Sequence, residues 1–285
     1  MVKTLGDAYL DVRNILRKAG MAGFQIEARE LVCCALKLSR DDFHHKKDML
    51  VFQKDADEIE RLVQLRLSGT PVQYITGEWD FYGLNFIISR DTLIPRADTE
   101  TLVGCGIEFM EKRSKGRVLD LCCGCGCVGI AVLKNISTAA TGVFADISEP
   151  ALHITRRNLA RHMLTARAVT VKTDALRERD KLLAEYNLIL CNPPYIPAGE
   201  MDGLDREVRE EPYLALCGGE DGLDFYRAIS RNYKAALLKG GALMFEVGQG
   251  QYWDVMEIME EQGYTELRYV SDLNGVERVV IGISQ

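Results

Sequence analysis

From Arg117 onward, short apolar runs alternate with stretches of helical texture, and this alternation restricts the fold more than any other feature of the 285 residues. The runs cover 117–121, 141–145, 168–173, 187–191, 242–247 and 277–283. Strands of that length, separated by helix-sized intervals, cannot pair through tight hairpins. They read as βαβ units, so the expected fold class is α/β, with a mostly parallel sheet covered by helices on both faces. Residues 1–75 have another texture. Leu5, Val12, Ile15 and Leu16, then Ala28, Leu31, Val32, Ala35 and Leu36, then Ile59, Leu62 and Val63 recur at helical spacing. Gly20 and Gly69 stand at expected helix stops, and Pro71 follows the second. A small all-α domain is expected over 1–75. Over 76–97 the aromatic and β-branched residues around Gly83 predict a β-hairpin linker, leaving 98–285 for the α/β domain.

The chain has no apolar run near the roughly 20 residues of a membrane span. Its first residues lack the apolar core and cleavage site of a secretory signal, which predicts a cytoplasmic protein with no membrane partner. The cysteine pairs Cys33-Cys34 and Cys122-Cys123 read as reduced thiols, not as a disulfide framework. A net charge of −7 argues against binding that depends on neutralising a phosphate backbone, so no direct nucleic-acid partner is expected. The small cluster Arg156, Arg157, Arg161 and Arg167 reads as a solvated helix face.

Residues 118–126 run from a buried strand into a loop of residues no larger than cysteine, and Val128 to Ala131 opens a helix. Such a loop lets backbone N–H groups approach a ligand at the positive end of the helix. Gly124, Gly126 and Gly129 complete G-x-G-x-x-G, and Asp146, at the end of the next strand, is placed to accept two ribose hydroxyls. A nicotinamide cofactor and S-adenosylmethionine both satisfy this part. Cys122, Cys123, Cys125 and Cys127 suggest a metal, but the four histidines lie at no matching spacing and no metal is expected.

Asn192-Pro193-Pro194-Tyr195 follows the fourth strand of the α/β region, at its carboxyl end and facing the same crevice. The two prolines fix the backbone and leave the Pro193 carbonyl free as an acceptor, and Asn192 adds a side-chain oxygen. Together they suit a planar NH₂ group, on which Tyr195 can stack. An amide nitrogen is a weak nucleophile because its lone pair is delocalised. Two acceptors on its N–H bonds orient it and stabilise the charge that develops on alkylation. A strong base is unnecessary, since the alkylated amide loses its proton readily. This motif selects S-adenosylmethionine.

With these motifs the sequence resembles the PrmC/HemK family of protein-(glutamine-N5) methyltransferases that modify peptide-chain release factors. The resemblance runs through Gly77 to Tyr82, Thr92 to Glu100, the glycine loop, Asn192 to Ile196, Glu207 to Pro212, Gly218 to Leu223 and Asn274 to Arg278. It implies a class I S-adenosylmethionine-dependent methyltransferase: a Rossmann-like, seven-stranded, mostly parallel sheet with its last strands antiparallel. Cys122, Cys123, Gly124, Cys125, Gly126, Asp146, Ala175 and Asn192 would line the cofactor site, and Asn192, Pro193, Pro194 and Tyr195 would hold the substrate glutamine, with Asn192, Pro193 and Tyr195 catalytic. The helical domain would grip the release factor, whose Gly-Gly-Gln loop enters the pocket. Three positions depart from the family pattern. Cys122 replaces a glycine and is expected at negative φ, Ala175 stands where an aromatic lid is common, and Ala97 replaces a proline. Asp98 and Glu100 suit either a site role or the cap of the helix that follows.

An adenine-N6 or cytosine-N4 DNA methyltransferase shares the NH₂ chemistry. The acidic total and the lack of a Lys- and Arg-rich second domain stand against it. A ribosomal-protein glutamine methyltransferase differs mainly around the Pro95-Arg96 segment. A nicotinamide dehydrogenase leaves Asn192 to Tyr195 without a role, and a non-catalytic scaffold explains neither motif.

Overall fold

The structure is a computed structural model that describes residues 3–178 and 185–285. By its internal contacts the chain divides into two compact units, residues 1–78 with 206–210, and residues 79–205 with 211–285.

In the first unit, β1 (Lys3–Thr4) leads into α1 (Leu5–Lys18), where Thr4 and Asp7 form a reciprocal capping box. Next come α2 (Phe24–Leu36), α3 (Arg40–His45), β2 (Leu50–Val51), which pairs antiparallel with β1, α4 (Gln53–Leu67) and α5 (Val72–Thr76). Leu5, Val12, Leu16, Ala28, Leu31, Val32, Ile59, Leu62 and Val63 are buried, as the spacing predicts, whereas Ala35 and Leu36 are half-buried and Ile15 is exposed. Arg66 is also buried, and its guanidinium meets Glu27 at 2.6 Å and Glu207 at 2.6 Å.

The second unit opens within β3 (Glu78–Phe81), at Trp79, and continues into β4 (Leu84–Ile87), the two forming a two-stranded sheet whose turn places Tyr82 and Gly83 at φ 51° and 70°. A helical turn over 97–99 precedes α6 (Glu100–Glu111). The α/β layer then runs β5 (Arg117–Leu121), α7 (Cys127–Asn135), β6 (Thr141–Asp146), α8 (Glu149–Arg161), β7 (Ala168–Lys172) and β8 (Tyr186–Cys191). It closes with α9 (Asp224–Tyr233), β9 (Leu237–Glu246), α10 (Tyr252–Glu261), β10 (Thr265–Ser271) and β11 (Glu277–Ile283).

The seven strands lie in the order β10-β11-β9-β8-β5-β6-β7. Pairings from β9 to β7 are parallel, and β11 is antiparallel to both β9 and β10. The expected seven-stranded sheet with its last strands antiparallel is therefore present, but no apolar run locates β10. It is an edge strand with little buried surface, and edge strands need no apolar run. The Arg156 to Arg167 cluster is not one face. Arg156 pairs with Glu149 at 2.7 Å, whereas Arg167 donates to the carbonyls of Leu133 in the last turn of α7 and of Ser137 and Ala140 beyond it.

The chain leaves β5 for β6 and β7 on one side and returns to β8 on the other, so the strand order reverses between β5 and β8. Ligands of open α/β sheets bind at such a point, beyond the carboxyl ends of the strands. Leu121 and Cys191 are register partners there, which brings Cys122 and Asn192 out side by side.

Candidate active site

The loop after β5 is shaped by bonds within the protein. The Cys123 N–H donates to the Ala145 carbonyl at 3.1 Å, Gly124 to Asp146 Oδ2 at 2.9 Å and Gly126 to the Cys123 carbonyl at 2.7 Å. These N–H groups thus face protein acceptors, not the ligand side that the sequence suggested. From α8, Thr155 Oγ donates to the Gly124 carbonyl at 2.7 Å and Asn158 Nδ2 to the Cys125 carbonyl at 2.9 Å. Both side chains are buried, and Asn158 also bonds both backbone groups of Ile87 in the hairpin. The tight exit from β5 sets Cys122 at φ 58°, not at the negative φ expected of it. The turn that lets Cys123 reach Ala145 demands the left-handed region, which glycine adopts without strain and cysteine does not.

Two carboxylates flank this loop. Asp120 is buried, accepts the Gly129 N–H at 2.8 Å, and burial pushes its carboxyl up to about 8. Asp146 accepts Gly124 N–H and Ser148 N–H, each at 2.9 Å. Burial raises its pKa, and backbone hydrogen bonds, those from Ser148 and Gly124 foremost, oppose the rise. A carboxylate has about four lone-pair sites, so Asp146 keeps capacity for two hydroxyl donors.

One cavity at the switch point is lined by Cys122, Cys123, Gly124, Cys125, Asp146, Ala175, Asn192 and Pro194. Gly126, Pro193 and Tyr195 are not on its wall. Gly126 turns inward against Thr155. Tyr195 packs on the hydrophobic core, its carbonyl accepts from Gln251 Nε2 at 3.0 Å, and burial pushes its hydroxyl up to about 12. The backbone of Pro194 and Tyr195 lies against Gly218, where an added Cβ would come within 2.7 Å of Tyr195 Cα. That close approach accounts for the glycine.

Four further wall residues are not among the predicted site residues: Thr99 and Asp120, inside motif stretches, and Leu176 and Phe225, which carry no motif. Phe225 supplies, from α9, an aromatic ring that Ala175 cannot. Asp98 and Glu100 do not cap α6, which has no side-chain cap. Glu100 accepts the Tyr82 N–H at 2.8 Å, and Asp98 pairs with Arg278 at 3.1 Å. Glu211 is buried, accepts the Ile94 N–H at 2.9 Å and pairs with Arg96, fastening the Thr92 to Arg96 stretch. All nine cysteines are free thiols.

The PrmC N-terminal domain model matches residues 7–77, and the methyltransferase small domain model matches residues 101–205. A release factor glutamine methyltransferase from Clostridium botulinum is 34% identical over 277 residues, 97% of this chain and 98% of the relative. Another, from Bradyrhizobium diazoefficiens, is 37% identical over 270 residues, 93% of this chain and 90% of the relative. The chain belongs to the release factor glutamine methyltransferase family.

Members of the release factor glutamine methyltransferase family are enzymes, and the resemblance read from Thr92 to Glu100 and Asn192 to Tyr195 extends over nearly the whole chain. The fold is shared more widely. The solved hMettl16 catalytic domain in complex with MAT2A 3'UTR hairpin 1 superposes with a TM-score of 0.58 at 15% identity, covering 90% of this chain and 91% of that one. No helix among the described residues is long and apolar enough to cross a membrane.

Proposed function

We propose that this chain transfers a methyl group from S-adenosylmethionine to the side-chain amide nitrogen of the glutamine in the Gly-Gly-Gln motif of a peptide-chain release factor. The observation that carries this reading is the single cavity shared by the glycine loop, Asp146 and Asn192 in a member of this family.

The residues present suit the cofactor. An added Cβ at Gly124 would meet no atom within 4 Å, so the loop backbone borders open space. Asp146 has acceptor capacity for the ribose, and Ile147, Ala175, Leu176 and Phe225 offer apolar surface for a base. When bound, S-adenosylmethionine supplies a sulfonium-activated methyl group. Asn192 Oδ1, on the cavity wall, accepts one N–H of the glutamine amide, which orients the nitrogen and stabilises its growing positive charge; the Pro193 carbonyl, off that wall, serves as second acceptor for a substrate amide that reaches past Pro194. The methyl group would pass to the nitrogen as the sulfonium becomes a neutral thioether, and the alkylated amide would give up one proton to water, so the chain need supply no strong base. Pro194 and the Gly218 turn hold this peptide rigid, which keeps the acceptors in place before substrate arrives. The helical first unit is assigned to gripping the release factor, and the free thiols suit a cytoplasmic setting.

The test offers labelled S-adenosylmethionine together with release factor, a release factor whose Gly-Gly-Gln glutamine is alanine, ribosomal protein, and DNA. Label on the intact release factor alone is the expected result. Label on DNA, or retention of label after loss of the glutamine, would overturn the reading.

A further inference from the structure

Among the buried ionisable groups that the mechanism leaves unused, one stands beside Asn192. Glu246 ends β9, and because Cys191 pairs with Phe245 in the parallel register of β8 and β9, Asn192 emerges beside it. Its side chain is 3% exposed, and Oε2 has no hydrogen-bond partner among the described residues. A carboxylate in that condition costs stability, which calls for a compensating use. Thr99, 2% exposed, stands next to it and accepts from Asn192 Nδ2 at 3.4 Å.

We propose that Glu246 is a positioning residue, whose carboxylate draws the Asn192 NH₂ and the Thr99 hydroxyl toward itself and so keeps Asn192 Oδ1 turned to the substrate amide. The inference rests on the methyl-transfer reading above. Its logic is one of donors and acceptors. An asparagine amide has an oxygen that only accepts and an NH₂ that only donates, and in an apolar wall its flip is set by the neighbour behind it. An ionised carboxylate only accepts, so it selects the NH₂ and leaves the oxygen facing forward. Protonated Glu246 offers a donor of its own and no longer distinguishes the two flips.

The surroundings set the pH at which this selection operates. Burial, with a smaller push from Asp98, raises the Glu246 pKa to about 7 against Thr99, Arg278 and Asn192, which favour the ionised form. The hydroxyls of Tyr195 and Tyr226 and the Cys127 thiol also face the group; burial raises the two tyrosines, the hydrogen bond with Cys125 and then burial raise Cys127, and all three stay protonated through neutrality. Arg278, which also binds Asp98 and Asp272, is the cation on this side of the cluster.

The experiment combines kinetics with nuclear magnetic resonance on the full chain. Wild type should show an acidic limb in kcat with a midpoint near 7. Glu246→Gln, nearly isosteric, should lower kcat about tenfold or more, the worth of one charge-assisted hydrogen bond, with little change in KM and no limb. Glu246→Asp should restore part of both. Independently of any substrate, the ¹⁵N-labelled side-chain amide of Asn192 should titrate with the limb in wild type and not in Glu246→Gln. An unchanged limb in Glu246→Gln, or an Asn192 resonance indifferent to pH in wild type, overturns the proposal. A titrating resonance in an enzyme that never labels release factor would defeat the functional reading and leave this one standing. If Glu246→Gln does not fold, the wild-type resonance and Glu246→Asp still decide.

Discussion

Replacing Gly126 by alanine tests how the cofactor loop is held. Gly126 sits at φ 81°, and an added Cβ would lie 2.8 Å from Thr155 Cγ2, with Ile130 at 3.3 Å and Phe144 at 3.4 Å. Two costs add. The left-handed backbone costs an L residue roughly 1–2 kcal/mol. Overpacking costs typically another 1–3 kcal/mol, and Thr155 cannot swing aside without breaking its bonds to the carbonyls of Gly124 and Ala151. Alanine's smaller unfolded-state entropy returns about 0.4–1 kcal/mol. Gly126→Ala should therefore destabilise by about 2–4 kcal/mol in urea unfolding. Thr155→Ser removes the obstructing methyl and keeps the hydroxyl, at a cost of about 0.8 kcal/mol for one buried carbon. The double variant should recover the overpacking part but not the backbone part, giving a coupling energy of about 1–2 kcal/mol. Additive effects, or a Gly126→Ala cost below about 1 kcal/mol, would refute this account of the loop.

Asp146→Asn should weaken S-adenosylmethionine binding by about 1.5–3 kcal/mol, read by calorimetry, and an unchanged Kd would remove Asp146 from the ribose site. Asn192→Ala should lower kcat by about 10²–10³ while cofactor affinity changes little, and a purely KM effect would contradict its acceptor role. Asp120 holds its proton when folded up to about 8 and loses it near the ordinary carboxylate value when unfolded. Over the intervening window the folded state binds more protons, so this group's contribution to stability falls as pH rises. Asp120→Asn should flatten that fall by up to about 1.4 kcal/mol per pH unit, and a slope equal to wild type would show that Asp120 does not titrate as described.

The parts of the site carried by contiguous backbone were legible in the sequence. Strand ends at Leu121, Asp146 and Cys191 follow from apolar runs, and the residues just after them must meet where the strand order reverses. What escaped notice reaches the site across the fold. Phe225 arrives from a helix packed over the sheet, and its pattern matches that of any core helix. Thr155 and Asn158 left a weak trace as polar residues on the buried face of α8, one turn apart. Glu246 also left one, as an ionisable residue ending an apolar strand. The φ of Cys122 had no such signal, because a hydrogen bond to the neighbouring strand sets it and residue type does not.

The central claim is tested most directly by fragmenting release factor in a mass spectrometer after incubation with this enzyme and S-adenosylmethionine. The account predicts one added methyl group on the amide nitrogen of the Gly-Gly-Gln glutamine, lost when Asn192 is alanine. A methyl group at any other residue, or unmodified release factor with an enzyme that demonstrably binds the cofactor, would contradict it.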